Sequence, residues 1–271
     1  MKKRVISAVV MLAVTFVCVL VSELSRVIFF GLIAALCAYE WCKNLRKRDV
    51  HCADWVLYLM VAALTAISVF HCGRFWYFFV LVATVMLCMT AGVVQKKVSG
   101  FGAMFTAAGA AYIGVLFAVI LEVAVSKIWL QSLILGCVPT WVCDSFALFG
   151  GSRFGKHKLA PSVSPNKTWE GSLCGAAGAV VVGVILCLIP AYKGVGWWVV
   201  VLAALVASSL GQIGDLAESL FKRMIGVKDS SNLIPGHGGI LDRFDSILFT
   251  APLVYYVVNI LSTIGVTGAW N

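Results

Sequence analysis

Between Gly214 and Asp245 the chain reads GDLAESLFKRMIGVKDSSNLIPGHGGILDRFD. This stretch holds Asp215, Glu218, Asp229, Asp242 and Asp245, five of the twelve acidic residues in the protein. Lys222, Arg223, Lys228, His237 and Arg243 are interleaved with them, around a Gly236-His237-Gly238-Gly239 turn. Asp215 and Glu218 are three residues apart, as are Asp242 and Asp245, so on a helix each pair shares one face. Oxygen-only donors suit a hard cation such as Mg2+, which typically takes one or two carboxylates and completes its coordination with phosphate oxygens. The basic residues and the glycine turn offer a matching anion site. The plainer alternative is a structural ion-pair network between these acids and Lys222, Arg223 and Arg243.

An earlier polar segment completes the set. Asp144 ends an apolar run and is followed by a loop rich in glycine and base, GGSRFGKHKLAPSVSPNKTWEG. Ser164-Pro165 predicts a helix start, because proline is favoured at the first helical position. Lys167 and Thr168 then fall in the first turn, where backbone N–H groups and the helix dipole favour an anion.

The elements that must position these residues are apolar almost throughout. The chain has 271 residues, 61% of them hydrophobic and only 12% charged, against about a quarter charged in a soluble domain. Apolar runs long enough to cross a bilayer recur at 5–22, 27–42, 55–71, 75–94, 101–124, 128–150, 171–192, 196–217 and 241–264. The expectation is an all-α polytopic integral membrane protein of about nine transmembrane helices. Met1-Lys2-Lys3-Arg4 and the run after it form a first helix rather than a cleaved signal, since no small-residue cleavage site follows. With the N-terminus cytoplasmic and the C-terminus outside, seventeen of the 21 basic residues fall on the cytoplasmic side and only Arg26, Arg74, Lys127 and Lys193 on the other. Tyr192, Trp197, Trp198 and Trp270 then form an outer aromatic belt. Residues 1–125 read as an N-terminal group of five helices, and 126–271 as a catalytic region with two cytoplasmic polar loops.

The net charge of +9 comes from residues flanking spans, without the aromatic-interleaved basic surface that nucleic acid would require. The ten cysteines show no Cys-x-x-Cys pair and lie mostly in apolar runs, as small hydrophobes. Glu40 reads as an interfacial carboxylate beside the Lys43–Arg48 cluster. In the nine-span topology Asp144, Asp215, Asp242 and Asp245 share one level near the inner leaflet. Uncompensated acids there are costly, so a cation is expected among them. Metal and phosphate at a bilayer surface imply phosphoryl-group chemistry on a lipid.

The motifs resemble those of the phosphatidate cytidylyltransferase (CDP-diacylglycerol synthase) family. They are Ser219-Leu-Phe-Lys222-Arg223, Lys228-Asp229, Pro235-Gly-His237-Gly-Gly239 and Asp242-Arg243-Phe-Asp245, preceded by Asp144, Gly151, Phe154-Gly-Lys156 and Ser164-Pro-Asn-Lys167-Thr168-Trp-Glu-Gly171. The chain departs from the family pattern at Leu148, where a tyrosine is expected, and at Ser152-Arg153, where the arginine comes one residue late. The resemblance implies transfer of CMP from CTP to phosphatidic acid, with Mg2+, in a bacterial-type inner membrane with the site facing the cytoplasm. It also suggests a homodimer. Asp215, Asp242 and Asp245 are expected to hold the metal, with Asp144 a further candidate. Lys167, Lys222, Arg223 and Lys228 would bind nucleotide and lipid phosphates, with Ser164, Asn166, Thr168, Gly238, Gly239 and Arg243 lining the substrates. His237 is a candidate acid or base and, equally, a turn residue. A CTP-dependent polyprenol or phytol kinase is the nearest alternative, and a secondary transporter is a more distant one.

Overall fold

The computed structural model describes residues 2–263 except Lys193, Pro235 and His237. The expected role of His237 therefore lies outside the described residues, as does Trp270 of the expected aromatic belt. Among the described residues every predicted apolar run is helical. In order these are α1 (Lys2–Leu20), α2 (Glu23–Arg46), α3 (Asp54–Val69), α4 (Arg74–Val94), α5 (Gly100–Gly109), a π-helical turn (Ala110–Val115) leading into α6 (Leu116–Ala124), α7 (Trp129–Phe154), α8 (Trp169–Cys187), α9 (Trp197–Ile225) and α10 (Leu241–Thr263). Among the described residues six stretches are long and apolar enough to cross a membrane: α2, α4, the α5–α6 run, α7, α8 and α9. Large apolar side chains such as Phe75, Phe78 and Val93 on α4 are exposed, which suits a lipid solvent. The chain is a helical, multi-pass membrane protein.

The structure divides into two compact units, Met1–Val125 with Met224–Arg243, and Ser126–Arg223 with Phe244–Asn271. In the first unit, α2 enters through a reciprocal capping box between Ser22 and Ser25, which satisfies amides that the helix itself leaves free. Cys37, Leu57, Met60, Ile113 and Phe117 are buried in this unit. Trp41 of α2 donates its indole N–H to the carbonyl of Phe105, at 3.0 Å. The loop 226–240 belongs to this unit, although almost two hundred residues of chain separate it from α2.

The second unit is built from α7, α8, α9 and most of α10. Its core comprises Leu135, Val182, Leu186, Val199, Val200, Ala203, Ala204, Ala207 and Val254. Helices α7 and α8 lie very close, because a Cβ on Gly175 would stand 2.7 Å from Cys143 Sγ and 2.8 Å from its carbonyl oxygen. The small residues of α8 thus replace an apolar driving force that lipid cannot supply.

Between α7 and α8 the structure corrects one expectation. Ser164-Pro165 does not start a helix. Ser164–Thr168 forms a strand, β2, paired antiparallel with β1 (Lys158–Ala160), with Lys158 opposite Thr168 and Ala160 opposite Ser164. The helix begins after Thr168, whose hydroxyl accepts the Gly171 N–H at 3.1 Å. Three competing bonds decide this. Glu170 accepts the Lys156 N–H at 3.0 Å and the His157 N–H at 3.2 Å, and the Trp169 N–H reaches the His157 carbonyl at 3.0 Å. Folding the hairpin back satisfies more backbone groups than one added helical turn would.

Candidate active site

In the second unit the polar residues converge from three helices and the hairpin. Lys167, near the end of β2, places its ammonium 2.6 Å from Asp215 Oδ2 on α9. Ser219, one turn further along α9, approaches the other oxygen of Asp215 at 3.3 Å. Asp215 also lies close enough to interact electrostatically with Asp144 on α7 and with Asp245 on α10. The approach of α9 to α10 depends on Gly214, where a Cβ would stand 2.6 Å from the Asp245 carbonyl oxygen. Asp144 and Asp245 thus each neighbour Asp215, with Lys167 acting on Asp144 and Asp215 and Lys222 on Asp245. Only Asp215 of the three has a basic partner within ion-pair distance among the described residues. Repulsion within such a group is relieved by a cation.

Other residues expected to bind phosphate are partly committed elsewhere. Lys222 pairs with Glu218 one turn before it on α9, and Glu218 is fully buried. Arg223 donates from Nε to the Val163 carbonyl at 3.2 Å, tying α9 to the tip of the hairpin. Thr168 is buried as the α8 cap, while Asn166 is exposed and Ser164 half-buried on β2. One turn deeper along α9 from Asp215, Gln212 bonds to Ser172 at 2.5 Å and to Cys143 Sγ at 3.2 Å.

The first unit holds the other polar cluster. Asp242, in the first turn of α10, accepts three hydrogen bonds at Oδ2: from Ser230 N–H at 2.9 Å, Ser230 Oγ at 2.8 Å and Gly239 N–H at 2.7 Å. Gly238 has φ of +82°, a conformation that L side chains adopt at a cost, and its carbonyl bonds back to Ile234 N–H at 3.0 Å. Lys228 and Arg243 are exposed. Glu40, expected as an interfacial carboxylate, is instead fully buried and bonded to this loop. It accepts from Ser231 Oγ, Ser230 Oγ (3.1 Å), Ile240 N–H (2.9 Å) and Leu241 N–H (2.8 Å). The one sequence signal for it was an acid within the apolar run of α2, since its partners are about two hundred residues away.

The chain matches the cytidylyltransferase family over residues 2–261. It belongs to that family. Among its relatives, the phosphatidate cytidylyltransferase of Bacillus subtilis (strain 168) is 33% identical over 267 residues, covering 97% of this chain and 99% of that protein. The protein of the same name from Staphylococcus haemolyticus (strain JCSC1435) is 35% identical over 201 residues, 74% of this chain and 70% of its own. That of Brucella abortus (strain 2308) is 52% identical over 115 residues, 42% of each chain. In this cytidylyltransferase-family chain the motif residues divide between the two units: Asp144, Lys167, Asp215, Lys222, Arg223 and Asp245 in one, Lys228, Gly238, Gly239, Asp242 and Arg243 in the other.

Proposed function

We propose that the chain transfers CMP from CTP to phosphatidic acid, giving CDP-diacylglycerol and pyrophosphate. The observation that carries this reading is the Lys167–Asp215 pair beside Asp144 and Asp245, an acid-rich site with a cation held inside it, in a member of the cytidylyltransferase family. A phosphate oxygen of phosphatidic acid attacks the α-phosphorus of CTP. The new P–O bond forms as the bond from the α-phosphorus to the oxygen it shares with the β-phosphate breaks, and pyrophosphate leaves with that oxygen and its electron pair. The attacking oxygen is already ionised at neutral pH, so no enzyme nucleophile is needed. Catalysis rests on alignment and charge neutralisation.

Lys167 would exchange Asp215 for a nucleotide phosphate as substrate enters. Arg223, Lys222 and Lys228 would supply further positive charge, and the Gly238-Gly239 backbone would approach a phosphate closely. Ser164, Asn166 and Arg243 would line the substrates, with Thr168 behind them as the cap of α8.

Mg2+ fits the donor set. No three acidic, histidine or cysteine side chains among the described residues already form a metal cage, but Mg2+ habitually takes only one or two carboxylates and keeps the rest of its sphere for water and phosphate. Asp215 and Asp245 would hold it, joined by Asp144 and by Asp242, one turn before Asp245 on α10. When bound, the metal would neutralise the polyphosphate charge.

The distribution of basic residues supports nine spans, with the N-terminus cytoplasmic, the C-terminus outside and the site on the cytoplasmic face of a bacterial inner membrane. Residues 1–125 would anchor and support, while 126–271 carry the chemistry, in a homodimer. Purified protein given α-labelled CTP, Mg2+ and phosphatidic acid in mixed micelles should move label into the lipid phase. Label that stays aqueous, or that enters lipid only from γ-labelled CTP with dolichol or phytol as acceptor, would sink this reading.

A further inference from the structure

Glu40 is a carboxylate with no exposure, on a helix whose buried residues are mostly apolar. Burying a charged carboxylate is expensive unless its lone pairs are filled. Here the Ser231 hydroxyl and the Ile240 and Leu241 N–H groups donate to its two oxygens, and the Ser230 hydroxyl, shared with Asp242, lies within bonding distance. No lysine, arginine or histidine among the described residues lies within ion-pair distance of it. Its negative charge is met instead by the start of α10, because the Ile240 and Leu241 N–H groups are among those a helix leaves unsatisfied at its N-terminus. Ile240, the residue before the helix, has no side-chain acceptor and cannot cap α10 itself. Glu40 caps it from another helix.

The same face of α2 continues the contact. One turn on, Asn44, also fully buried, donates from Nδ2 to the Ser230 carbonyl at 2.7 Å. A further turn on, Arg48 donates from Nε to the Ile225 carbonyl at 2.8 Å, where α9 ends. Residues 40 and 44 share one face of α2 and Arg48 follows in the turn just past its end, so the three grip the 225–241 segment at both ends and in the middle. Ser230 also stands between Glu40 Oε2 (3.1 Å) and Asp242 Oδ2 (2.8 Å). Its hydroxyl has one proton for two carboxylates, so what Glu40 accepts bears on what Asp242 accepts.

We infer that Glu40 is a positioning residue for cytidylyl transfer: with Asn44 and Arg48 it templates the Ser230–Asp242 segment and fixes the start of α10, and through it the aim of Asp242. This rests on the reading of Asp242 as part of the transfer site, and the test separates the two. In full-length protein in detergent, Glu40→Gln places an amide N–H₂ against the donors of Ile240 and Leu241. Amide hydrogen exchange across 230–241 should then quicken at least about tenfold, while α7 and α8 keep their protection. In mixed micelles kcat should fall at least about tenfold, the Michaelis constant for CTP should move less, and Glu40→Asp should recover part of the rate.

Unchanged exchange at 230–241 would overturn the clamp. Faster exchange with wild-type kcat would overturn the positioning role. If Glu40→Gln does not fold, Ser231→Ala, which removes one donor, decides the matter: faster exchange at 240–241 with a reduced kcat upholds the proposal, and wild-type values of both overturn it. A wild-type protein that transfers no CMP would remove the functional reading, while the exchange result would still stand or fall by itself.

Discussion

The two units handle their carboxylates in opposite ways. In the first, Glu40 and Asp242 Oδ2 are surrounded by hydroxyl and amide donors, and nearly every bond comes from the 230–241 segment. In the second, Asp144 and Asp245 each neighbour Asp215, with Lys167 and Lys222 as the counter-charges. A carboxylate whose lone pairs are filled by the fold stabilises the fold, since each charge-assisted bond is worth about 1.5–3 kcal/mol. A carboxylate left near others of its kind costs stability, and such strain is kept where a ligand relieves it. The first arrangement suits a role in setting geometry, and the second, on the proposed function, a role in binding substrate.

The sharpest way to break this contrast is a pair of isosteric amides. Asp215→Asn should lower kcat by about 10²–10³-fold, the scale of losing one electrostatic stabiliser, and leave the melting temperature in detergent unchanged or slightly raised. Asp242→Asn should abolish turnover as well, but it also sets an amide against the donors of Ser230 and Gly239 and should lower the melting temperature. Equal losses of stability in the two variants would erase the distinction. Both should still insert in the membrane, as read by fractionation and size exclusion.

A smaller effect sharpens the description of the first unit. A Cβ on Gly239 would stand 2.7 Å from both oxygens of Glu40 and closer still to Ser230 Oγ. Gly239→Ala should therefore cost about 1–3 kcal/mol as overpacking, seen as a lower melting temperature, with a falling kcat as the loop shifts. Serine at the same position should be no better tolerated. A variant of wild-type stability would show that the loop gives way freely.

How much of this could be read from the chain depended on the distance between partners. The apolar runs announced every helix, because bilayer thickness fixes their length, and on the expected topology the carboxylates of α7, α9 and α10 share one level. Lys167 was selected as a phosphate binder, and its pairing with Asp215 agrees with a place in the same cluster. The role of Glu40 was not legible. Its position among the Lys43–Arg48 bases suggested a surface ion, whereas its partners lie at 230–241 and nothing local indicates them. The hairpin was missed for a nearer reason: two helix-start signals stand four residues apart, Ser164-Pro165 and Thr168-Trp-Glu-Gly171. The second prevails because Glu170 can reach Lys156 and His157 only if the chain has already folded back.

That choice of start gives the smallest prediction. Thr168 accepts the Gly171 N–H from the N-cap position, and Thr→Ala at such a site costs about 1 kcal/mol. Thr168→Ala should lower the melting temperature modestly, and Thr168→Ser should restore it, because the hydroxyl rather than the methyl makes the bond. The neighbouring Lys167 side chain is carried on β2, not on the helix, so kcat should fall by no more than about threefold in either variant. If Thr168→Ala removed activity on the scale of Asp215→Asn while the protein stayed folded, Thr168 would be touching substrate. It would then belong with Asp144, Asp215 and Asp245 among the groups that await a ligand, not with the carboxylates and caps that hold the fold.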